Sequence, residues 1–140
     1  MATSSVEVRI RTLVENAFKA WREGTGGPYD LLADNVSWIV TGRSKAAKTY
    51  PSKESFMSEV IRPFNARMRA RLIPTTLHEL VVDGERVVVR FDAAGTAIDG
   101  KPYSNTYAWF LTVRDDKIVN AVAFFDSIAF DDLWTRVTPA

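Results

Sequence analysis

The chain has no cysteine and only one histidine, His78, among its 140 residues. Without thiols it can form no disulfide, thiolate metal site or thiol nucleophile. A single imidazole is too few for histidine-rich zinc or iron sites, so neither a metal nor an organic cofactor is expected. No run of eighteen apolar residues occurs, so no membrane partner is expected. The first residues lack the apolar core of a signal peptide, which makes the cytoplasm the expected address. An excess of one charge is also missing. The net charge of +1 argues against a dedicated nucleic-acid binder. Arg62, Arg67, Arg69 and Arg71 form a local basic cluster, read as a solvated helix end running into an edge strand. Arginines suit a last helical turn because they face its negative dipole end.

Aromatic residues are plentiful: four Trp, four Tyr and eight Phe. Several lie in the segment from Tyr103 to Leu111. There Tyr103, Asn105, Tyr107, Trp109 and Leu111 alternate with Ser104, Thr106, Ala108 and Phe110. Period two places the first set on one face of a strand. Rings interleaved with an amide suit a pocket wall, where apolar surface dominates and a few polar groups orient a ligand.

The length fits one domain over residues 1–140, large enough to bury about two-thirds of the unfolded chain's surface. Val6, Ile10, Leu13, Val14, Ala17, Phe18 and Trp21 keep helical spacing behind a possible Ser4/Glu7 capping box. The Gly-rich stretch from Glu23 to Pro28 stops that helix. It is no phosphate loop, because no Lys-Ser/Thr follows and no strand precedes it. A short helical turn is expected over 29–33 and a strand carrying Trp38 over 36–40. A polar loop then covers 41–51. Ser52 opens a second amphipathic helix with Phe56, Val60, Ile61 and Phe64 inward, and Pro63 should kink it.

From about residue 70 the period changes. Extended segments over 71–82, 86–98, 101–114 and 117–125 are joined by Asp83-Gly84, Asp99-Gly100 and Asp115-Asp116, which read as hairpin turns. A short helix over 127–136 closes the chain. Helices first and an antiparallel meander afterwards predict an α+β fold, a curved sheet covered by helices that leaves a cone with an open mouth.

This layout resembles the nuclear transport factor 2-like superfamily, specifically its SnoaL-like branch. The resemblance rests on the opening helix with Trp21, the run from Leu32 to Trp38 leading to Gly42, and the run from Tyr50 to Phe56. It rests also on Asp83 to Val87, Asp99 to Tyr107, and Asp116 to Ile118 through Phe124-Phe125-Asp126. It implies a cone-shaped, cystatin-like fold that hosts isomerases, cyclases, hydrolases and non-catalytic members. Ketosteroid isomerases, which are similar, carry a general-base aspartate near the positions of Trp38 to Val40, where this chain has no carboxylate. Their acidic donor falls roughly at Trp109. Limonene epoxide hydrolases are similar in an Arg-x-Asp pair, matched by Arg90-Phe91-Asp92, and in a second aspartate that falls at Ala123.

The candidate proton carriers are therefore Asp92, His78 and Asp126. Trp38, Arg90, Asn105, Tyr107 and Trp109 are the candidate substrate contacts. Each has a plainer reading. Arg90 and Asp92 lie outside if Val89 and Phe91 face the helices. His78, grouped by parity with Leu72, Pro74, Thr76 and Leu80, faces either cavity or solvent. Asp126 either reaches the cavity rim or caps the last helix. Asn105 and Tyr107 either touch ligand or bond to neighbours across the sheet.

Three functions follow. The first is a cofactor-independent isomerase, cyclase or hydrolase acting on a small apolar carbonyl or polyketide-like molecule. The second is a non-catalytic small-ligand binder, and the third an interaction module. The first requires at least one of His78, Arg90, Asp92 and Asp126 inside the cone. A homodimer is expected through an outer sheet face bearing Thr106, Ala108, Phe110, Val122 and Phe124.

Overall fold

A computed structural model describes residues 4–139. Helix α1 (Ser5–Glu23) opens with a true capping box: Ser4 Oγ accepts from the Glu7 N–H at 3.1 Å, and Glu7 accepts from the Ser4 N–H at 3.0 Å. It ends at Gly24, whose φ of 79° lies in the left-handed region that a helix C-cap requires. A 3-10 turn (Pro28–Leu31) leads into strand β1 (Leu32–Val40), four residues earlier than the sequence pattern suggested. Residues read as loop contribute a short edge strand, β2 (Lys48–Tyr50), which pairs antiparallel with β1 through Trp38 and Tyr50.

The second helical segment comes in three pieces: α2 (Lys53–Phe56), a π-helical turn (Met57–Ile61) and α3 (Arg62–Asn65). Pro63 explains the interruption. A proline lacks the N–H for the normal helical bond and its ring crowds the carbonyl four residues back. The wider π register just before it relieves that crowding, with the Arg62 N–H reaching back to the Met57 carbonyl.

Four long strands complete the sheet: β3 (Met68–Asp83), β4 (Arg86–Ala97), β5 (Pro102–Arg114) and β6 (Lys117–Phe125). The order is β2-β1-β6-β5-β4-β3, antiparallel except for the β1–β6 pair. The β5–β6 hairpin turns on Asp115 and Asp116, both with positive φ, as a primed turn demands of two central residues. Asp116 is held there by Arg9 of α1, whose Nε lies 2.8 Å from its carboxylate. β3 is an edge strand with four register irregularities, and Pro74 sits on it where no ladder bond is lost to a neighbour. Gly95 of β4 faces that irregular stretch. A β-carbon there would lie 2.7 Å from the Ala70 carbonyl oxygen, so close strand approach needs glycine. Helix α4 (Ser127–Arg136) follows β6 directly.

Burial follows parity. Val87, Val89, Phe91 and Ala93 of β4 and Tyr103, Asn105, Tyr107, Trp109 and Leu111 of β5 are buried beneath the helices. Phe91 is fully enclosed, edge-on to Phe18 and Trp109 at 4.9 Å and stacked on Tyr107 at 5.2 Å. The basic cluster is only partly solvated. Arg67 is buried, donating to the carbonyls of Pro63, Trp134 and Val137 and lying 3.9 Å over the Trp134 ring. It thereby satisfies carbonyls at the end of α4, where a cation opposes the helix dipole. No helix among the described residues is long and apolar enough to cross a membrane.

Candidate functional site

The concave sheet face and the helices over it enclose a cavity of about 260 Å³. Its walls come from every layer: Trp21 at the end of α1, Tyr29 on the 3-10 turn, Trp38 on β1, Phe56 on α2, Tyr107 and Trp109 on β5. Trp38 stacks on Phe56 at 4.3 Å and meets Trp109 edge-on at 5.2 Å, while Trp21 lies parallel to Trp109 at 6.1 Å. Aromatic pairs of this kind contribute about 0.5–1.5 kcal/mol each beyond their burial. Interlocked rings therefore preform the wall.

Two phenols supply its inner polar groups. Tyr107 Oη lies 2.8 Å from Tyr103 Oη, and burial pushes the Tyr107 phenol well above its ordinary value, with Tyr103 adding to the shift. Burial likewise raises the Tyr29 phenol, again with a contribution from Tyr103. Both therefore stay protonated at neutral pH and keep an O–H able to donate. Among the described residues Tyr29 Oη has no hydrogen-bond partner, and the one fully enclosed side-chain polar atom left unpaired is Ser44 Oγ. The Tyr29 hydroxyl therefore opens onto the cavity. At the rim stand Gly24, Gly26, Asn65 and Arg71.

The sequence-read residues divide between the two sheet faces. Trp38, Tyr107 and Trp109 line the cavity. Asn105 is buried but does not line it. Its amide donates to Tyr103 Oη (2.9 Å) and the Asp126 carbonyl (3.0 Å) and accepts from the N–H groups of Thr106 (2.8 Å) and Asp126 (3.0 Å). With donors and acceptor occupied, it ties β5 to the β6–α4 junction. Arg90 and Asp92 are on the convex face, because Val89 and Phe91 point to the helices. Arg90 pairs with Glu79 at 2.8 Å. Asp92 accepts from Thr106 Oγ1 at 2.7 Å and meets His78 Nε2 at 2.9 Å. Those bonds, Thr106 first and His78 next, hold the Asp92 carboxyl below its usual range.

His78 joins this outer cluster for a geometric reason. The β3–β4 register runs from Leu77↔Phe91 to Glu79↔Arg90, so His78 is an extra residue in a bulge. A bulge breaks the parity that grouped it with Leu72 and Leu80. Asp126 is the N-cap of α4, its carboxylate accepting from the N–H groups of Ile128 (2.9 Å) and Ala129 (3.4 Å). None of His78, Arg90, Asp92 and Asp126 lines the cavity. Asp92 and Asp126 instead border a second, more open pocket of about 410 Å³ with Thr75, Ser104, Asn105 and Thr106. No group of three or more potential metal-ligating acids or histidines occurs among the described residues.

Sequence reasoning missed Tyr29, Arg71 and the cavity role of Trp21 and Phe56. Helical spacing marks Trp21 and Phe56 as inward. It does not say whether inward means core or cavity.

The sequence pattern of the SnoaL-like domain matches residues 12–121. The chain belongs to the SnoaL-like domain family. No curated protein matches it. Solved structures with the same fold include a putative SnoaL-like polyketide cyclase from Jannaschia sp. CCS1, with TM-score 0.73 and 16% identity over 96% of this chain and 97% of that one. Bal32a, from a soil-derived mobile gene cassette, matches with TM-score 0.72 and 17% identity over 93% and 99%. TerC, co-crystallised with polyporic acid, matches with TM-score 0.67 and 20% identity over 94% and 99%. At such identities the likeness concerns the fold.

Within this SnoaL-like cone, two aliphatic side chains of neighbouring strands, Val40 and Ala123, stand on the cavity wall. These residues are register partners across β1 and β6, and both line the cavity. Val40, Ala123, Trp109 and Val89 form one row across the sheet.

Proposed function

We propose that this SnoaL-like protein is a binding domain for a small, ring-bearing apolar molecule held in the cone. The observation that carries this reading is the lining itself. Aromatic and aliphatic side chains surround the space, and no carboxylate or imidazole lines it. A general base must lie within hydrogen-bond reach of the proton it removes. Pockets for drug-sized ligands run from about 300 Å³ upward, so about 260 Å³ suits a ligand of one or two rings. Tyr29 and Tyr107 would orient it by donating to a carbonyl or hydroxyl oxygen. Co-crystallisation of the similar TerC with polyporic acid supports a small-molecule occupant.

The alternative is a cofactor-independent isomerase, cyclase or hydrolase. It would have Tyr107 as its donor and no base beside it, which is why binding is the better reading. Asp92, His78 and Asp126 are set aside as its proton carriers.

The test is a titration with naphthamide, read by quenching of the tryptophans in the wall. Saturable quenching is expected in the native protein, and Ala123→Leu, which fills the cavity from its floor, should weaken it at least tenfold. Absence of saturation, or equal affinity in the filled variant, sinks the reading.

The convex face supports a homodimer. Phe110 and Phe124 are 41% and 46% exposed there and pack edge-on at 5.7 Å, beside Val122 and Ala108. Contiguous exposed aromatic surface of this kind is characteristic of an interface.

A further inference from the structure

The proposed ligand site has one charged group at its mouth, and its surroundings bear on ligand charge. Arg71 lies on β3 where that strand passes the end of α1. Its Nη1 donates to the Trp21 carbonyl at 2.6 Å and its Nη2 to the Arg22 carbonyl at 3.1 Å. These two bonds fix the plane of the guanidinium against Gly24, where a β-carbon would stand 2.9 Å from Nη2. A guanidinium has five N–H donors, so three remain. Among the described residues no carboxylate forms a salt bridge with Arg71, whereas Arg9, Arg62, Arg90, Arg114 and Arg136 each have at least one. The cavity lining contains Arg71 and no acid. Its other rim residues, Gly24, Gly26 and Asn65, carry no charge, and the Asp30 carboxylate beside Gly26 accepts from the Gly27 N–H at 3.1 Å.

We propose that Arg71 selects an anionic head group, so that the ligand is a small aromatic acid whose rings enter the cone and whose carboxylate stays at the rim. This rests on the reading that the cone holds a ligand. The physical reason is a division of labour along the cavity axis. The deep wall of Trp38, Phe56 and Trp109 takes apolar rings, and a buried charge would have no partner there. At the mouth a planar guanidinium, already immobilised by backbone carbonyls, meets a carboxylate with little further ordering. Arginine's fork matches the two oxygens of such a group.

A plainer role for Arg71 is to cap the last carbonyls of α1. That role affects stability and is indifferent to ligand charge. The two roles are therefore separable by comparing naphthoate with naphthamide, which share their rings and differ in charge at neutral pH. Both are titrated by tryptophan quenching into the full-length protein at low salt.

The native protein is expected to bind naphthoate about tenfold or more tighter than naphthamide. In Arg71→Gln that preference should shrink to within about twofold. Because that variant also loosens the helix end, Asn65→Asp is the companion. It places a carboxylate on the rim without touching the cap, and should likewise abolish the preference, with a thermal melt matching the native protein. Equal affinity for both probes in the native protein overturns the proposal while leaving the binding reading intact. So does a preference that survives both substitutions. If neither probe binds, the cavity reading fails and this proposal falls with it.

Discussion

On β4, Val87, Val89, Phe91 and Ala93 lie under the helices, and Arg90 and Asp92 alternate with them on the convex side. The concave set joins a web of rings around the cavity. The convex set joins His78, Glu79 and Thr106 in hydrogen bonds and ion pairs exposed to water. Arg90, Asp92 and His78 thus lie on one side of the sheet and the aromatic cavity on the other. Acidic residues in a motif do not make a catalytic site unless the pleat turns them toward the space where a substrate fits. Here it turns them away.

Removing the central ring of the concave face tests the contrast most severely. Phe91→Ala, at a fully enclosed position with Phe18, Tyr107 and Trp109 against it, should cost about 3–5 kcal/mol in urea-induced unfolding. A loss below about 1 kcal/mol would mean that the ring web is far looser than its packing suggests.

On the convex side, Phe124→Arg leaves the fold alone and acts on assembly. In analytical ultracentrifugation at micromolar concentration, native protein is expected at the mass of two chains and the variant at one. A single-chain mass for native protein removes the proposed interface.

The smallest effect belongs to the outer polar cluster. Asp92→Asn should barely change stability near neutral pH, as expected of exposed pairs. Its pH dependence has a definite sign. The folded-state pKa of Asp92 is depressed by Thr106 and His78, so its contribution is present above the unfolded value. It is lost as the pH falls through the ordinary carboxylate range toward the lowered folded value. Acid unfolding of Asp92→Asn should therefore be less steep across that range, and an unaltered acid limb would count against the bonds to Asp92.

Much of the fold can be read from the linear pattern. Alternation marks the concave face of β5 from Tyr103 to Leu111, and all five residues are buried. Asp-Gly and Asp-Asp pairs mark the hairpins, because few residues tolerate the backbone those turns require. Ser4 and Glu7 announce α1 through a cap that depends only on neighbours in sequence. Asp126 is legible in the same way, as a cap rather than as an acid at the rim.

The site is less legible. Counting alone leaves His78 facing cavity or solvent, and the register irregularities of β3, one of them at His78 itself, decide it. Asn105 seemed poised for ligand, yet a junction four hydrogen bonds deep occupies it. Arg67 belonged to a cluster read as solvated and is instead the buried anchor of the end of α4. In each case the deciding partner comes from a distant part of the chain.

The sequence by itself determined the order of the helices and long strands, the hairpin turns, the buried face of β5 and the absence of thiol chemistry. These depend on backbone preference and short-range spacing, which are local. Only the tertiary structure decided that Trp21, Tyr29, Trp38, Phe56 and Trp109 enclose a space, that Val40 faces Ala123 across its floor, and that Arg71 stands at its mouth. Those relations depend on how distant elements pack and on where an edge strand bulges, and no local spacing encodes either.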